Sequence, residues 1–242
     1  MKDVKVSIIT PCLNSRKTIC QTMESVLNQT YKNIEYIIVD GQSTDGTLGM
    51  IREYIPRFKG RLRYISERDK GIYSAINKGI KMSKGGLIGI INSDDYYEPD
   101  AVEKVVSGLT DSKYQVLYGY CRVIDHHREI ALIKNRHQEL KEAMIPHPTC
   151  FVTRNAYRDF GMFLTAYKIS ADYDFMLRLY TSRKVAFIQI GEILSTFRAG
   201  GASYNFKRCT LETIVIKYRY GIYSLTEVLE RLRRLYFYEE YE

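Results

Sequence analysis

Short apolar runs that alternate with helical patterns dominate the first half of this 242-residue chain and limit the folds it can adopt. Four short segments predict strands, at about 4–10, 34–40, 62–66 and 87–91, and the segment 34–40 is too short and too rich in β-branched residues to favour a helix. A fifth strand is predicted at 116–123. Strands joined by helices wind right-handedly into a mostly parallel, twisted sheet, so the sequence predicts an α/β fold with helices on both faces.

The regular alternation of strand and helix patterns ends at about residue 120, and a helical pattern begins at 206, so the chain has three predicted parts. Residues 1–120 form the first half of one domain, and residues 121–205, with a strand pattern at 185–190, form its second half. Residues 206–242 form a helical extension. Apolar residues recur in it every three or four positions and give one stripe beside several arginines. The stripe is compatible with an anionic membrane surface, a second copy of the chain, or packing on the main domain.

Composition narrows the class of protein. With 45% hydrophobic and 26% charged residues, the chain is predicted to fold as an ordinary globular protein. The apolar runs are shorter than the about 20 residues of a membrane-spanning helix, and no secretory signal opens the chain, so a cytoplasmic location is expected. The net charge of +8 suits phosphate-bearing ligands, nucleic acid or an anionic membrane. No nucleic-acid recognition motif accompanies it, so nucleic acid is not a predicted partner.

Acidic side chains follow two of the predicted strands where each strand ends. Asp40 closes the second strand, and the adjacent Asp94 and Asp95 follow the fourth. The carboxyl ends of parallel strands share one edge of the sheet, where such sheets bind ligands. Neighbouring carboxylates repel each other, and a divalent cation or sugar hydroxyls would satisfy them. The sequence therefore predicts a polar ligand site at this edge, with solvated turns as the alternative.

Five motifs in chain order resemble the family 2 glycosyltransferases of the GT-A fold, over about residues 4–200. They are VSIITPCLN (6–14), IVDGQSTDGT (38–47), DKGIYSAINKG (69–79), NSDD (92–95) and ADYD (171–174). The resemblance implies inverting transfer of a sugar from a nucleotide-sugar donor with the help of Mg²⁺ or Mn²⁺. It assigns the first half of the domain to the donor and the second half to the acceptor.

On the donor side, the resemblance assigns the nucleotide base to Thr10, Pro11 and Asp40 and places Asn77 in the donor pocket. Lys70 precedes a predicted helix start, where free amide groups and a cation together can receive phosphate. A solvated lysine in a turn is the alternative for Lys70, and an ordinary strand-to-helix turn is the alternative for Asp40.

The acidic pair corresponds to the family's DXD-type motif, here Ser93-Asp94-Asp95. By similarity, Asp94 faces the ribose or the donor sugar and Asp95 reaches the metal. Ser93 stands where the family carries an aspartate, so one potential metal ligand is missing. A single carboxylate with phosphates and waters is nevertheless an ordinary shell for Mg²⁺.

On the acceptor side, the family's usual Glu-Asp pair reads Ala171-Asp172 here, and its second member is the expected general base. His147, fixed between two prolines, is a candidate contact to the acceptor or the diphosphate, with a structural role as the alternative. Residues 198–203 are a candidate flap over the donor, with Gly200 and Gly201 as its hinge, and a plain loop is the alternative.

The expected function is transfer of a hexose or N-acetylhexosamine to a surface polysaccharide or lipid-linked glycan. Two alternatives stay open at this stage: a catalytically silent nucleotide-sugar-binding or scaffold protein, and a nucleotidyltransferase, which shares the sheet and its acidic edge. Retention of both Asp95 and Asp172 favours the enzyme over the silent protein.

Overall fold

The computed structural model describes residues 4–200 and 206–237. The strands in these ranges are β1 (Val6–Cys12), β2 (Ile34–Asp40), β3 (Leu62–Ser66), β4 (Leu87–Ile90), β5 (Tyr96–Tyr97), β6 (Gln115–Asp125), β7 (Arg128–Ile133), β8 (Phe151–Thr153) and β9 (Ala186–Arg198). The helices are α1 (Ile19–Leu27), α2 (Thr47–Tyr54), α3 (Ile72–Met82), α4 (Ala101–Ser107), α5 (Arg154–Phe160), α6 (Ala171–Thr181), α7 (Phe206–Arg219) and α8 (Leu225–Phe237).

These strands join in one sheet of order β3-β2-β1-β4-β8-β6-β9-β5, and β7 pairs with β6. The first four strands are parallel to one another, as predicted. Beyond β4 the directions are mixed, because β8 runs antiparallel to both β4 and β6 while β9 runs parallel to β6. The predicted α/β class is therefore confirmed, and the second half of the chain adds antiparallel pairing to it.

Two apolar clusters, one on each face of the sheet, form the core. Ile9 and Ile37 belong to one cluster, and Ile8 and Ile38 belong to the other. Successive side chains of a strand point to opposite faces, so β1 and β2 need apolar residues at nearly every position. This explains why their sequences read as continuous apolar runs.

Several elements differ from the sequence prediction. The sequence also indicates a first helix that runs to about Gln29 with Ser15 as its cap, but residues 16–18 form a turn and α1 begins at Ile19. The strand predicted at 185–190 continues to Arg198. The helical pattern after 206 is interrupted between α7 and α8, and α5 was not predicted. Within the described ranges, none of the helices is long and apolar enough to cross a membrane.

Close packing of α3 on β1 fixes the start of α3 at the carboxyl edge of the sheet. Gly79 of α3 lies directly over Ile9, and a β-carbon at this position would collide with the Ile9 side chain. Interiors are packed densely, so such a collision forces the helix away from the strand.

We predict that Gly79→Ala lowers the free energy of unfolding by about 1–3 kcal/mol, because overpacking displaces α3. Gly49→Ala in α2 is the matched control, since nothing lies within 4 Å of a β-carbon there. The control should stabilise the protein by about 0.5–1 kcal/mol through helix propensity. Urea unfolding measures both changes, and equal effects of the two substitutions would contradict the packing argument.

Candidate active site

The carboxyl ends of β1, β2 and β3 meet around the buried side chain of Asp40. Its carboxylate accepts hydrogen bonds from the Ser43 backbone at 3.2 Å and from the Ser66 hydroxyl at 2.6 Å. The Cys12 thiol donates to it over 3.7 Å. Burial and the adjacent charge of Asp40 raise the pKa of Cys12, so this thiol stays protonated. Asp40 is thus held rigidly where the resemblance predicts the nucleotide base.

The loops that follow β1 and β2 are joined to each other above Asp40. The Asn14 backbone N–H donates to the Ser43 hydroxyl at 2.8 Å, and the Thr44 N–H donates to the Asn14 side chain at 2.9 Å. Asn14 and Gln42 have positive φ angles of 52° and 65°, which tighten both loops. The two loops therefore form one rigid wall at this edge of the sheet.

Thr10 and Pro11, also predicted to contact the base, lie within β1 and are buried. The Tyr36 hydroxyl donates to the Thr10 hydroxyl at 3.0 Å inside the core. Residues 12–14 of the same motif reach the edge instead, and Leu13 is 60% exposed there. In this structure Thr10 and Pro11 are therefore buried supports of the wall and do not form its exposed surface.

Asp69 is a buried acid of the site that the sequence analysis did not single out. Its side chain is 8% exposed, and the Lys78 ammonium lies 2.7 Å from one carboxylate oxygen. The other oxygen, Oδ2, has no hydrogen-bond donor among the described residues. Asp69 is close enough to Cys12 for its charge to contribute to the raised pKa of that thiol. Because buried polar oxygens are normally hydrogen-bonded, Asp69 is suited to accept a hydrogen bond from a ligand.

The acidic turn after β4 lies at the same edge and is joined to the loop after β1. The Ser93 hydroxyl is 2.7 Å from the Ser15 hydroxyl, and the Thr22 hydroxyl of α1 donates to the Asp95 carbonyl at 2.7 Å. Asp95 is 1% exposed, whereas Asp94 is only partly buried. Burial and the charge of Asp94 raise the pKa of Asp95, and burial also raises the pKa of Asp94. The pair therefore favours a nearby cation.

Arg198, at the end of β9 and the start of the segment that was predicted as a flap, holds this turn, a role that the sequence does not predict. Its backbone N–H donates to an Asp95 carboxylate oxygen at 3.0 Å, and its guanidinium donates to the Asp94 carbonyl at 3.2 Å. The guanidinium also donates to the Gln21 side chain at 2.6 Å. No local sequence signal indicates these contacts, because Arg198 and Asp95 are 103 positions apart in the chain.

The donor set of the acidic turn suits a cation that is shared with a ligand. Asn92 donates to the second Asp95 carboxylate oxygen at 3.2 Å, and further acceptor positions remain on both carboxylates. Among residues 4–200 and 206–237, no group of three or more His, Cys, Asp or Glu side chains surrounds a metal position. Mg²⁺ commonly binds through one or two carboxylates plus substrate phosphates, so this turn fits that mode of binding.

Asp172 lies in the first turn of α6 and contacts α3, the helix that begins at the same edge. One carboxylate oxygen, Oδ1, lies 2.9 Å from the Tyr73 hydroxyl and accepts the Tyr173 backbone N–H at 2.9 Å. The other oxygen, Oδ2, has no hydrogen-bond partner in the described part of the chain, and the residue is partly exposed. The arrangement fixes the carboxylate and leaves one oxygen open to a ligand.

Asp174, two positions further along α6, has a different environment. It is fully buried and forms ion pairs with Arg178 at 2.7 Å and Arg219 at 3.3 Å. The Tyr220 hydroxyl donates to its backbone carbonyl at 3.2 Å. Asp174 therefore attaches α7 to α6, whereas Asp172 contacts the first turn of α3.

Glu212 of α7 fixes the segment that leads into Asp172. Its carboxylate accepts backbone N–H groups of Lys168, Ile169 and Ser170 at 2.8, 2.8 and 2.9 Å. Burial opposes the charge of Glu212, but these donors and the adjacent Arg208 hold its pKa below the usual value. The first helix of the C-terminal region is therefore part of the support of the site.

The remaining predicted residues have varied surroundings. Lys70 is exposed at the start of α3, and the Lys168 ammonium contacts its carbonyl at 3.5 Å. The Asn77 amide makes two hydrogen bonds with the Phe163 backbone, at 2.8 and 3.1 Å, and so joins α3 to the segment before α6.

His147 lies against the Phe163 ring, with the two ring centres 5.7 Å apart. Burial lowers the pKa of His147, and the charge of Asp172 opposes that shift only in part, so the imidazole is neutral at neutral pH.

Of the two glycines predicted as a hinge, Gly200 has a positive φ of 98° in the turn after β9, and Gly201 lies outside the described residues.

The sheet, the acidic turn at its carboxyl edge and the open carboxylate of α6 define a fold of the GT-A class. S. aureus TarS 1–349 in complex with UDP-GlcNAc has a TM-score of 0.69 at 18% identity, covering 88% of this chain and 66% of that chain. The mannosyltransferase PcManGT from Pyrobaculum calidifontis, in complex with GDP-Man and Mn²⁺, has a TM-score of 0.69 at 16% identity, covering 96% and 70%. Both comparisons show the fold.

The family model for glycosyl transferase family 2 matches residues 7–171. The chain belongs to this family, and the resemblance seen in the motifs is confirmed. Chondroitin synthase from Escherichia coli is 37% identical over 182 residues, which cover 72% of this chain. The matched part is 26% of that relative, so the chain spans about a quarter of its length.

We predict that Glu212→Gln lowers the free energy of unfolding near pH 7 by about 1 kcal/mol, because a neutral amide binds the three N–H groups more weakly. The lowered pKa of Glu212 means that its charge stabilises the fold above the unfolded-state pKa. This contribution is lost as the pH falls through the folded-state pKa, so the variant and wild type should converge between about pH 5 and about pH 3. Urea unfolding across this range, with exposed Glu53→Gln as the control, measures the effect. A difference that is independent of pH would contradict it.

Proposed function

We propose that this chain transfers a sugar from a nucleoside-diphosphate sugar to a hydroxyl group of a glycan or lipid-linked acceptor, with inversion, in the synthesis of a surface polysaccharide. The sugar class is a hexose or N-acetylhexosamine, and the proposed location is the cytoplasm. The observation that carries the proposal is Asp172, whose Oδ1 accepts the Tyr173 backbone N–H and lies 2.9 Å from the Tyr73 hydroxyl while Oδ2 stays open.

On the donor side, the proposal assigns the nucleoside to the wall formed by the loops after β1 and β2. Asp40 lies at its base, and Oδ2 of Asp69, the oxygen that Lys78 does not contact, accepts a further N–H or O–H of the nucleoside. TarS with UDP-GlcNAc and PcManGT with GDP-Man share the fold, which supports a nucleotide-sugar donor here without selecting the base. Lys70 and Lys168 at the start of α3 are available to the phosphates.

The acidic turn would hold Mg²⁺ or Mn²⁺ together with the diphosphate, with Asp95 as its carboxylate ligand and Asp94 facing the donor. The bound ion supplies positive charge against the negative charge that develops on the leaving diphosphate. Arg198 and Asn92 orient the Asp95 carboxylate for this role. PcManGT, which shares the fold, is in complex with GDP-Man and Mn²⁺, and this supports the assignment.

On the acceptor side, Asp172 Oδ2 accepts the proton of the attacking hydroxyl as the new glycosidic bond forms and the bond to the diphosphate breaks. A single displacement of this kind inverts the anomeric carbon and needs one base. Tyr73 keeps Oδ1 turned away from the acceptor. His147, neutral beside Asp172, borders the same space without adding charge.

We predict that Asp172→Asn lowers the transfer rate about a hundredfold to ten-thousandfold, because the amide cannot accept the proton. Donor binding should persist, and the melting temperature should still rise with UDP- or GDP-sugar and Mn²⁺. The assay follows release of nucleoside diphosphate, which also separates sugar transfer from nucleotidyl transfer, since the latter releases pyrophosphate.

Asp125→Asn is the matched control, because Asp125 is an exposed aspartate in the hairpin between β6 and β7. The control should keep the wild-type rate. If Asp172→Asn transfers sugar as fast as the control, the assignment of the base is wrong.

A further inference from the structure

The helix α8 exposes a broad apolar face. Leu225, Leu229 and Tyr236 are 59%, 60% and 67% exposed, and Leu232 is 37% exposed. With Val228 and Leu235, which are partly buried, they occupy an arc of about 120° on a helix of 3.6 residues per turn. Isolated exposed leucines are normal, but a contiguous apolar face on one helix marks an interaction surface.

The charged residues of α8 are ordered around this face. Arg231 and Arg233 lie on either side of the apolar arc, whereas Glu227, Glu230 and Arg234 lie opposite it, where Arg234 forms an ion pair with Glu230. Arg231 covers the Tyr223 ring at 4.2 Å, next to the start of the helix. Cations at the border of an apolar face and acids away from it match the charge order of an anionic membrane surface, where cations meet the headgroups.

A paired helix of a second copy fits this pattern less well. Ile222, Leu225, Leu229, Leu232 and Tyr236 follow the spacing of a coiled-coil seam. The positions beside such a seam normally carry charges that pair across the interface, but on one side they are Val228 and Leu235. The apolar face is therefore wider than a coiled-coil seam and suits insertion into lipid.

The neighbouring helix α7 also combines exposed apolar side chains with basic residues. It exposes Leu211, Val215 and Tyr218, which are spaced by four and three positions, and residues 206–237 contain seven basic against three acidic residues. The ion pairs of Asp174 and the hydrogen bonds of Glu212 attach α7 firmly beside Asp172. A membrane bound by these helices would lie near the acceptor side of the site.

We propose that α8, with the exposed stripe of α7, docks the protein on the surface of an anionic lipid bilayer. The helix lies in the plane of the interface, with its leucines among the acyl chains and Arg231 and Arg233 at the lipid phosphates. This inference does not depend on sugar transfer, and its test measures no activity.

The test is sedimentation of the full chain with phosphatidylcholine vesicles that contain phosphatidylglycerol, and with pure phosphatidylcholine vesicles. Wild type should bind the anionic vesicles, and the binding should weaken when the salt rises from about 0.1 M to about 1 M. Leu225→Gln/Leu229→Gln should weaken binding at least about tenfold, since two leucines lose their lipid contact. Arg231→Gln/Arg233→Gln should remove the preference for anionic vesicles.

Ile130→Gln is the matched control, because Ile130 is 54% exposed on β7, away from both helices. It should bind as wild type does, and circular dichroism should show that all variants stay folded. Equal vesicle binding by the leucine variant and the control overturns the proposal, as does failure of wild type to bind. A wild-type dimer that the leucine variant converts to a monomer, without vesicle binding, would instead assign the face to a second copy.

Discussion

The arrangement of the site depends on the cost of placing two neighbouring carboxylates, Asp94 and Asp95, at the end of a buried strand. Removing a carboxylate from water disfavours its charged form, and a second carboxylate beside it adds to that cost. The raised pKa of Asp95 reflects both effects. The protein offsets the cost in part with the Arg198 backbone and the Asn92 amide, and the remainder calls for a cation.

This constraint explains why the second half of the chain is needed for the donor side. The acidic turn follows β4, but Arg198 reaches it only because β9 runs thirteen residues along β6 to the same edge. The short strand β5, directly after the turn, pairs with β9 and completes the connection. The acidic turn and the strands that hold it therefore share one sheet, and α7 holds the segment before Asp172 through Glu212.

The sequence predicts the elements that depend on residues close to one another in the chain. Strands β1, β2 and β4 are buried on both faces, so they appear as nearly continuous apolar runs, and the polar residues at their ends mark the edge. The end of β9 could not be predicted, because buried Ser195 and Thr196 break the apolar pattern. Nor could Arg198, or Tyr73, whose partner Asp172 is 99 positions away, because such contacts arise only when the sheet is assembled. Asp69 lies within a recognised motif, and its missing hydrogen-bond donor is visible only in the structure.

The central claim is that the acidic pair binds a divalent cation together with a nucleoside diphosphate. Calorimetric titration of Mn²⁺ tests it most directly, with and without UDP or GDP, in wild type and in Asp95→Asn. The account predicts weak binding of Mn²⁺ alone, binding at least about tenfold tighter with one of the nucleotides, and loss of that gain in the variant. Binding of Mn²⁺ that neither nucleotide nor the substitution changes would contradict it.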